Sequence, residues 1–149
     1  FADNYLEIVK RRVYNGTADE KASAFWTLYQ GLLAIVKMFS PFTPFVCEEI
    51  YQKHFKKFEG AKSAHLMEWP SRIGISEHRH DSKTWEKFLE IIGKVRQAKS
   101  EFKIAMNAKI YLTLTKENLK ELADVLEDLK GVCAVEGEIE VGKFGARVA

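Results

Sequence analysis

Hydrophobic positions recur at helical spacing over most of the chain and switch to alternation near its end. From Asp19 to Phe39, the residues Phe25, Leu28, Tyr29, Leu32, Ile35, Val36 and Phe39 fall three or four apart, which predicts an amphipathic helix. Phe1 to Tyr14 carries a thinner stripe of Ala2, Leu6, Val9 and Val13, closed by Asn15-Gly16, where glycine suits a left-handed helix stop. Another helix is expected from Asp81 or Ser82 to about Ile104, with Trp85, Phe88, Leu89, Ile92, Val95 and Phe102 inward.

The stretch KMFSPFTPFVCEEIYQ, Lys37 to Gln52, turns one helix into the next. Pro41 disfavours helical geometry at Ser40, Thr43 suits a cap, and Pro44 suits a first helical position because it has no amide to satisfy. Phe39, Phe42 and Phe45 are expected to clamp this corner as buried rings between antiparallel helices. From Lys56 to Asp81 no period is sustained, and HLMEWP (65–70) reads as an extended piece pinned by Leu66 and Trp69.

At Ala108 the period changes. KIYLTLT alternates as a strand, Lys116 to Lys130 places Leu119, Leu122, Leu126 and Leu129 on a helix, and Val132 to Val141 alternates again. The expected fold is therefore mainly α: an antiparallel helical bundle over 1–107, followed by a small α+β strand-helix-strand unit over 108–149.

Composition adds limits. With 149 residues, 46% of them hydrophobic, the chain can bury a core of its own. It begins at Phe1 in mid-pattern, so a longer parent polypeptide is expected. No apolar run reaches the roughly 18–20 residues of a membrane span, and neither a signal peptide nor a membrane role is expected. Cys47 and Cys133 are isolated, which fits neither a disulfide framework nor a zinc site, and a reducing, cytoplasmic setting is expected.

The formal charge of +2 is uneven: residues 1–115 hold 18 Lys/Arg against 13 Asp/Glu, while 116–149 hold 5 against 8. A polyanion should therefore meet the earlier part. Catalytic constellations are not evident. Cys47 and His54 are seven residues apart on one helix, about 10 Å along its axis at roughly 1.5 Å per residue, too far for a nucleophile and its base. His78 to Asp81 lacks a second ligand cluster, Glu48 and Glu49 point about 100° apart, and no glycine-rich phosphate loop occurs. What remains is basic and aromatic: Lys10, Arg11, Arg12 and Tyr14 end the first helix, and Arg96, Lys99 and Lys103 form a later stripe. On spacing alone the stripe reads first as a solvated helix face and second as a nucleic-acid contact, with Tyr14 as a stacking face.

Four segments together resemble the anticodon-binding region of class I aminoacyl-tRNA synthetases of the valine, isoleucine and leucine group, the valyl members most closely. They are FADNYLEIVKRRVY, MFSPFTPFVCEEIYQ with Ser40 in place of the usual His, the Trp69-Pro70 pair, and GKVRQAKSEFKIAMNAKI. The last fills a pair of arginines three residues apart with Arg96 and Lys99, which keeps charge but loses the second fork. KMFS at Lys37 lacks the second lysine of the catalytic KMSKS signature, and the HIGH signature is absent. Few residues follow Thr115 for the long coiled-coil arm of bacterial valyl enzymes.

The resemblance implies a tRNA-binding domain with no cofactor of its own. ATP would belong to a catalytic domain which, with an editing domain, lies upstream, so the chain alone should not activate an amino acid. It implies tRNA contacts by Lys10, Arg11, Arg12, Tyr14, Arg96, Lys99 and Lys103. An isoleucyl or leucyl relative, or a helical protein-interaction module, are the alternatives.

Overall fold

In the computed structural model, which describes residues 4–71 and 82–148, the helices in chain order are α1 (Tyr5–Asn15), α2 (Ala18–Phe39), α3 (Pro44–His54), α4 (Lys56–Glu59), α5 (Ser82–Glu101), α6 (Lys116–Glu121) and α7 (Leu126–Cys133). The strands are β1 (Ile110–Leu114), β2 (Glu140–Val141) and β3 (Gly145–Val148). The chain is thus mainly helical with a small sheet, as its pattern predicts. The grouping differs: one compact unit combines Phe1–Lys21 with Arg79–Ala149, and the other is Ala22–His78.

In the first unit β1 is central. Ile110, Leu112 and Leu114 are buried and Tyr111 is exposed, the alternation of a strand with one covered face. β2 pairs with it in parallel (Thr113 opposite Glu140) and β3 antiparallel (Tyr111 opposite Arg147). Parallel neighbours need a crossover, and α6 and α7 supply it. Lys116 to Lys130 is thus broken by a 3-10 turn at Ala123–Val125, Val135 makes only an isolated bridge to Ile110, and β3 has no counterpart in the sequence reading.

Ile8 of α1, Phe88, Ile91, Ile92 and Val95 of α5, and Leu122 and Leu129 share one core with β1. The expected boundary at 107/108 therefore falls inside a single core, because the apolar face of α5 is covered by the sheet and its crossover. Phe102 and Trp85, expected inward, are exposed, although the Trp85 ring stacks on Phe88 at 5.6 Å between centroids. Asp81, one of the two expected caps of this helix, lies outside the described residues.

α1 ends differently from the expectation. Gly16 has φ −73° and ψ 166°, an extended conformation, and its amide donates to the Arg12 carbonyl at 3.1 Å. Glycine is needed for room: a Cβ there would lie 2.4 Å from the Arg12 oxygen. Thr17 and Glu20 then start α2 with a reciprocal capping box, Thr17 N donating to Glu20 Oε2 at 2.8 Å and Glu20 N to Thr17 Oγ1 at 3.3 Å.

The second unit packs Leu33 and Val36 of α2 against Cys47 and Tyr51 of α3, Phe55 and Ala64. The buried face of α2 is set by Ala24, Leu33 and Val36, while Phe25, Leu32 and Phe39 of the expected stripe are exposed. At the corner Phe42 is 80% and Phe45 89% exposed, so the rings do not clamp it. Hydrogen bonds close it instead: Ser40 N reaches Val36 O, and Phe42 N and Thr43 N both reach Phe39 O at 2.9 Å. Thr43 precedes Pro44 at the helix start, but its hydroxyl donates to Phe39 O rather than to an amide of α3. Glu48 pins the following loop by accepting from Ser63 Oγ and Ala64 N, while Leu66 and Trp69, the expected pins, are exposed.

Candidate nucleic-acid interface

Within the first unit a groove of roughly 670 Å³ opens between α1, the end of α5, the turn after it and the end of α7. Lys10, Arg11, Tyr14, Arg96 and Lys99 line it, so the fold brings together five of the seven residues singled out from sequence. Arg12 and Lys103 are not among its lining.

These side chains divide sharply by what they touch. Arg11 and Arg12 both fork onto Asp128 of α7: Arg11 Nε and Nη2 donate to Oδ1 at 3.2 and 3.1 Å, and Arg12 Nε donates to both oxygens at 2.9 Å, with its Nη2 completing the pair. Asp128 is only 3% exposed, and two guanidiniums compensate its burial. Arg11 also donates to Glu20 at 2.6 Å. The Thr17 amide and then Arg11 hold the Glu20 carboxyl down at about 2, and hydrogen bonding to Glu20 and Asp128 respectively raises the pKa of Arg11 and Arg12. Gly131 permits this approach of α7 to α1, since a Cβ there would meet Arg11 Cβ at 2.9 Å.

Lys99 is 2% exposed, and its ammonium donates to the carbonyls of Met106, Ala108 and Cys133 at 2.8, 2.7 and 2.9 Å. An ammonium has three protons, and each has a main-chain acceptor here. Burial lowers its pKa and pushes the neighbouring Cys133 thiol up to about 11.

The rim is different. Tyr14 is 72% exposed. Lys10 is exposed beside Glu7, to which it donates at 2.7 Å, a pairing that solvent screens. Arg96 Nη1 donates to Asn4 Oδ1 at 3.2 Å. Lys103 closes α5 in a Schellman motif, with Ile104 N bonded to Lys99 O and Lys103 N to Ser100 O at 3.0 Å each. Its φ of 55° is left-handed, where glycine is usual and an L residue costs roughly 1–2 kcal/mol.

Sequence reasoning missed Asp128, Gly131, Met106 and Asn107. One signal was present: Asp128 and Gly131 sit three apart on α7, and a glycine inside a helix marks a close approach. Among the described residues no cluster of three metal-ligating side chains occurs, and no helix is long and apolar enough to cross a membrane. Cys47 is buried and His54 exposed, so they form no dyad; His78 to Asp81 lies outside the described residues.

The first unit thus carries a groove lined by Lys10, Arg11, Arg96 and Lys99 with the Tyr14 ring exposed, and comparison with known proteins supplies the class. Residues 1–128 match the family described as the anticodon-binding domain of tRNA ligase, and the chain belongs to that family. It is similar to the valine–tRNA ligase of Thermococcus kodakarensis, 34% identical over 91% of this chain and 15% of that protein. The valine–tRNA ligase of Ehrlichia ruminantium is 37% identical over 91% of the chain and 17% of its own length, and that of Rickettsia felis 34% identical over 99% and 17%. The chain thus spans about a sixth of these curated relatives.

Proposed function

We propose that this chain is the tRNA-binding domain of a valine–tRNA ligase, holding the anticodon while the acceptor end reaches a catalytic domain elsewhere in the parent. The observation that carries the reading is the single groove that gathers Lys10, Arg11, Tyr14, Arg96 and Lys99. The identities to valine–tRNA ligases favour valine over isoleucine or leucine. The parent would use ATP and work in the cytoplasm, with catalytic and editing domains as partners in the same polypeptide. The exposed rings of the corner favour contact between the second unit and those domains.

Within the groove the division of labour follows from exposure. Lys10 and Arg96 in the groove, and Lys103 outside its lining, offer charge to phosphates, and Tyr14 offers a ring to an unstacked base. Arg11 and Arg12 act mainly by fixing α7 against α1, and Lys99 by holding main chain. Binding of valine tRNA transcript to the chain, against a transcript with a changed anticodon and over a salt series, tests the reading. A preference for the valine anticodon is expected, and Lys10→Ala should reduce the slope of log affinity against log salt by about 0.7, one single-stranded phosphate contact. Binding that Lys10→Ala and Tyr14→Ala both leave unchanged would remove the groove from the interface.

A further inference from the structure

The turn after α5 is built more firmly than a connector requires. Ala108 N donates to Ala105 O at 2.9 Å, closing a four-residue turn with Met106 and Asn107 at its tip. Both line the groove and both are exposed. Lys99, from one side, holds the carbonyls of Met106 and Ala108, which flank Asn107 in the chain. Its third proton goes to Cys133 O at the end of α7.

A helix C-terminus and the turn beside it present carbonyl oxygens, whose partial negative charge opposes an approaching polyanion. The buried ammonium neutralises that floor while fixing the turn. Among the described residues the Asn107 side chain has no hydrogen-bond partner, so its donor and acceptor are available together, the pair that a Watson–Crick edge complements. The Met106 thioether offers a polarizable surface suited to the face of an aromatic ring.

Resting on the reading of the groove as an RNA site, we propose that the 105–108 turn is a specificity element, in which Asn107 meets the edge of one unstacked base and Lys99 is its positioning residue. Lys99 therefore acts on RNA at one remove. Substituting it should change which base is preferred without changing how many phosphates are neutralised.

The test uses the full chain and tRNA transcripts carrying each base in turn at the anticodon positions, with affinities measured over a salt series. Asn107→Ala, at an exposed turn tip, should reduce the preference at one position about tenfold, the scale of one well-placed base-edge pair, with an unchanged salt slope. Lys99→Gln should erode the preference at that same position, also without altering the slope. Asn107→Asp, which replaces the donor with a second acceptor, should shift the preference at that position towards a base presenting an amino group.

Unchanged preference in Asn107→Ala would overturn the role of the turn. A salt slope reduced in Lys99→Gln, with preference intact, would make Lys99 a phosphate contact and overturn its positioning role. Failure of the groove itself would show separately, as indifference of binding to Lys10→Ala and Tyr14→Ala.

Discussion

The two units dispose of their unusual side chains in opposite ways. The first takes charge inward: Asp128 is buried beneath two arginines and Lys99 beneath three carbonyls. The second turns part of its aromatic set outward, with Phe39, Phe42 and Phe45 exposed around its corner while Tyr51 and Phe55 are buried with Leu33, Val36 and Cys47. Side-chain polarity alone is therefore a poor guide to location in either unit. What decides is whether a buried charge finds its full set of partners and whether an apolar ring finds a surface to cover it.

The sharpest break of this contrast is Asp128→Ala. It leaves the Arg12 guanidinium partly buried without its anion and Arg11 with Glu20 alone, and should cost about 3–5 kcal/mol in denaturant unfolding. A cost under about 1 kcal/mol would mean that the pairing behaves as a surface one.

A smaller effect, confined to acid, is expected from Glu20. Its folded pKa near 2 lies below the ordinary value of 4.5, so the unfolded chain binds the proton more readily. The stability it contributes is full above pH 4.5 and is lost as pH falls towards 2. Glu20→Gln should flatten the stability profile across that window, as thermal unfolding at a series of pH values would show; an unaltered slope would count against the coupling to Thr17 and Arg11.

The smallest effect belongs to the second unit. Phe42→Ser and Phe45→Ser remove rings that lie in solvent and should change the stability of the chain by less than about 0.5 kcal/mol. A loss of several kcal/mol on urea unfolding would show that these rings are covered after all.

Much of the fold was legible because helix periodicity and proline placement are local properties. α2 and α5 lie where their patterns predict, and Pro44 opens α3. What was not legible depends on distant partners. The buried side of α2 is chosen by Tyr51 and Phe55, which no window around α2 contains. β3 is short, and its residues become a strand only through pairing with β1. The site shows the same limit: the basic run at Lys10 to Arg12 was visible, but its division between ligand and scaffold depends on an aspartate more than a hundred residues away.

That separation sets a schedule on the ribosome. The second unit is continuous in sequence, whereas the first cannot close α1 onto its counter-ion until 116 further residues after Arg12 have been made. At about 5–20 residues per second this is a wait of roughly 6–23 s. During that interval Arg12 lacks its carboxylate, while Arg11 can already reach Glu20, nine residues further on. The capture of α1 by Asp128 is thus also the step that brings the α1 and α7 walls of the groove together.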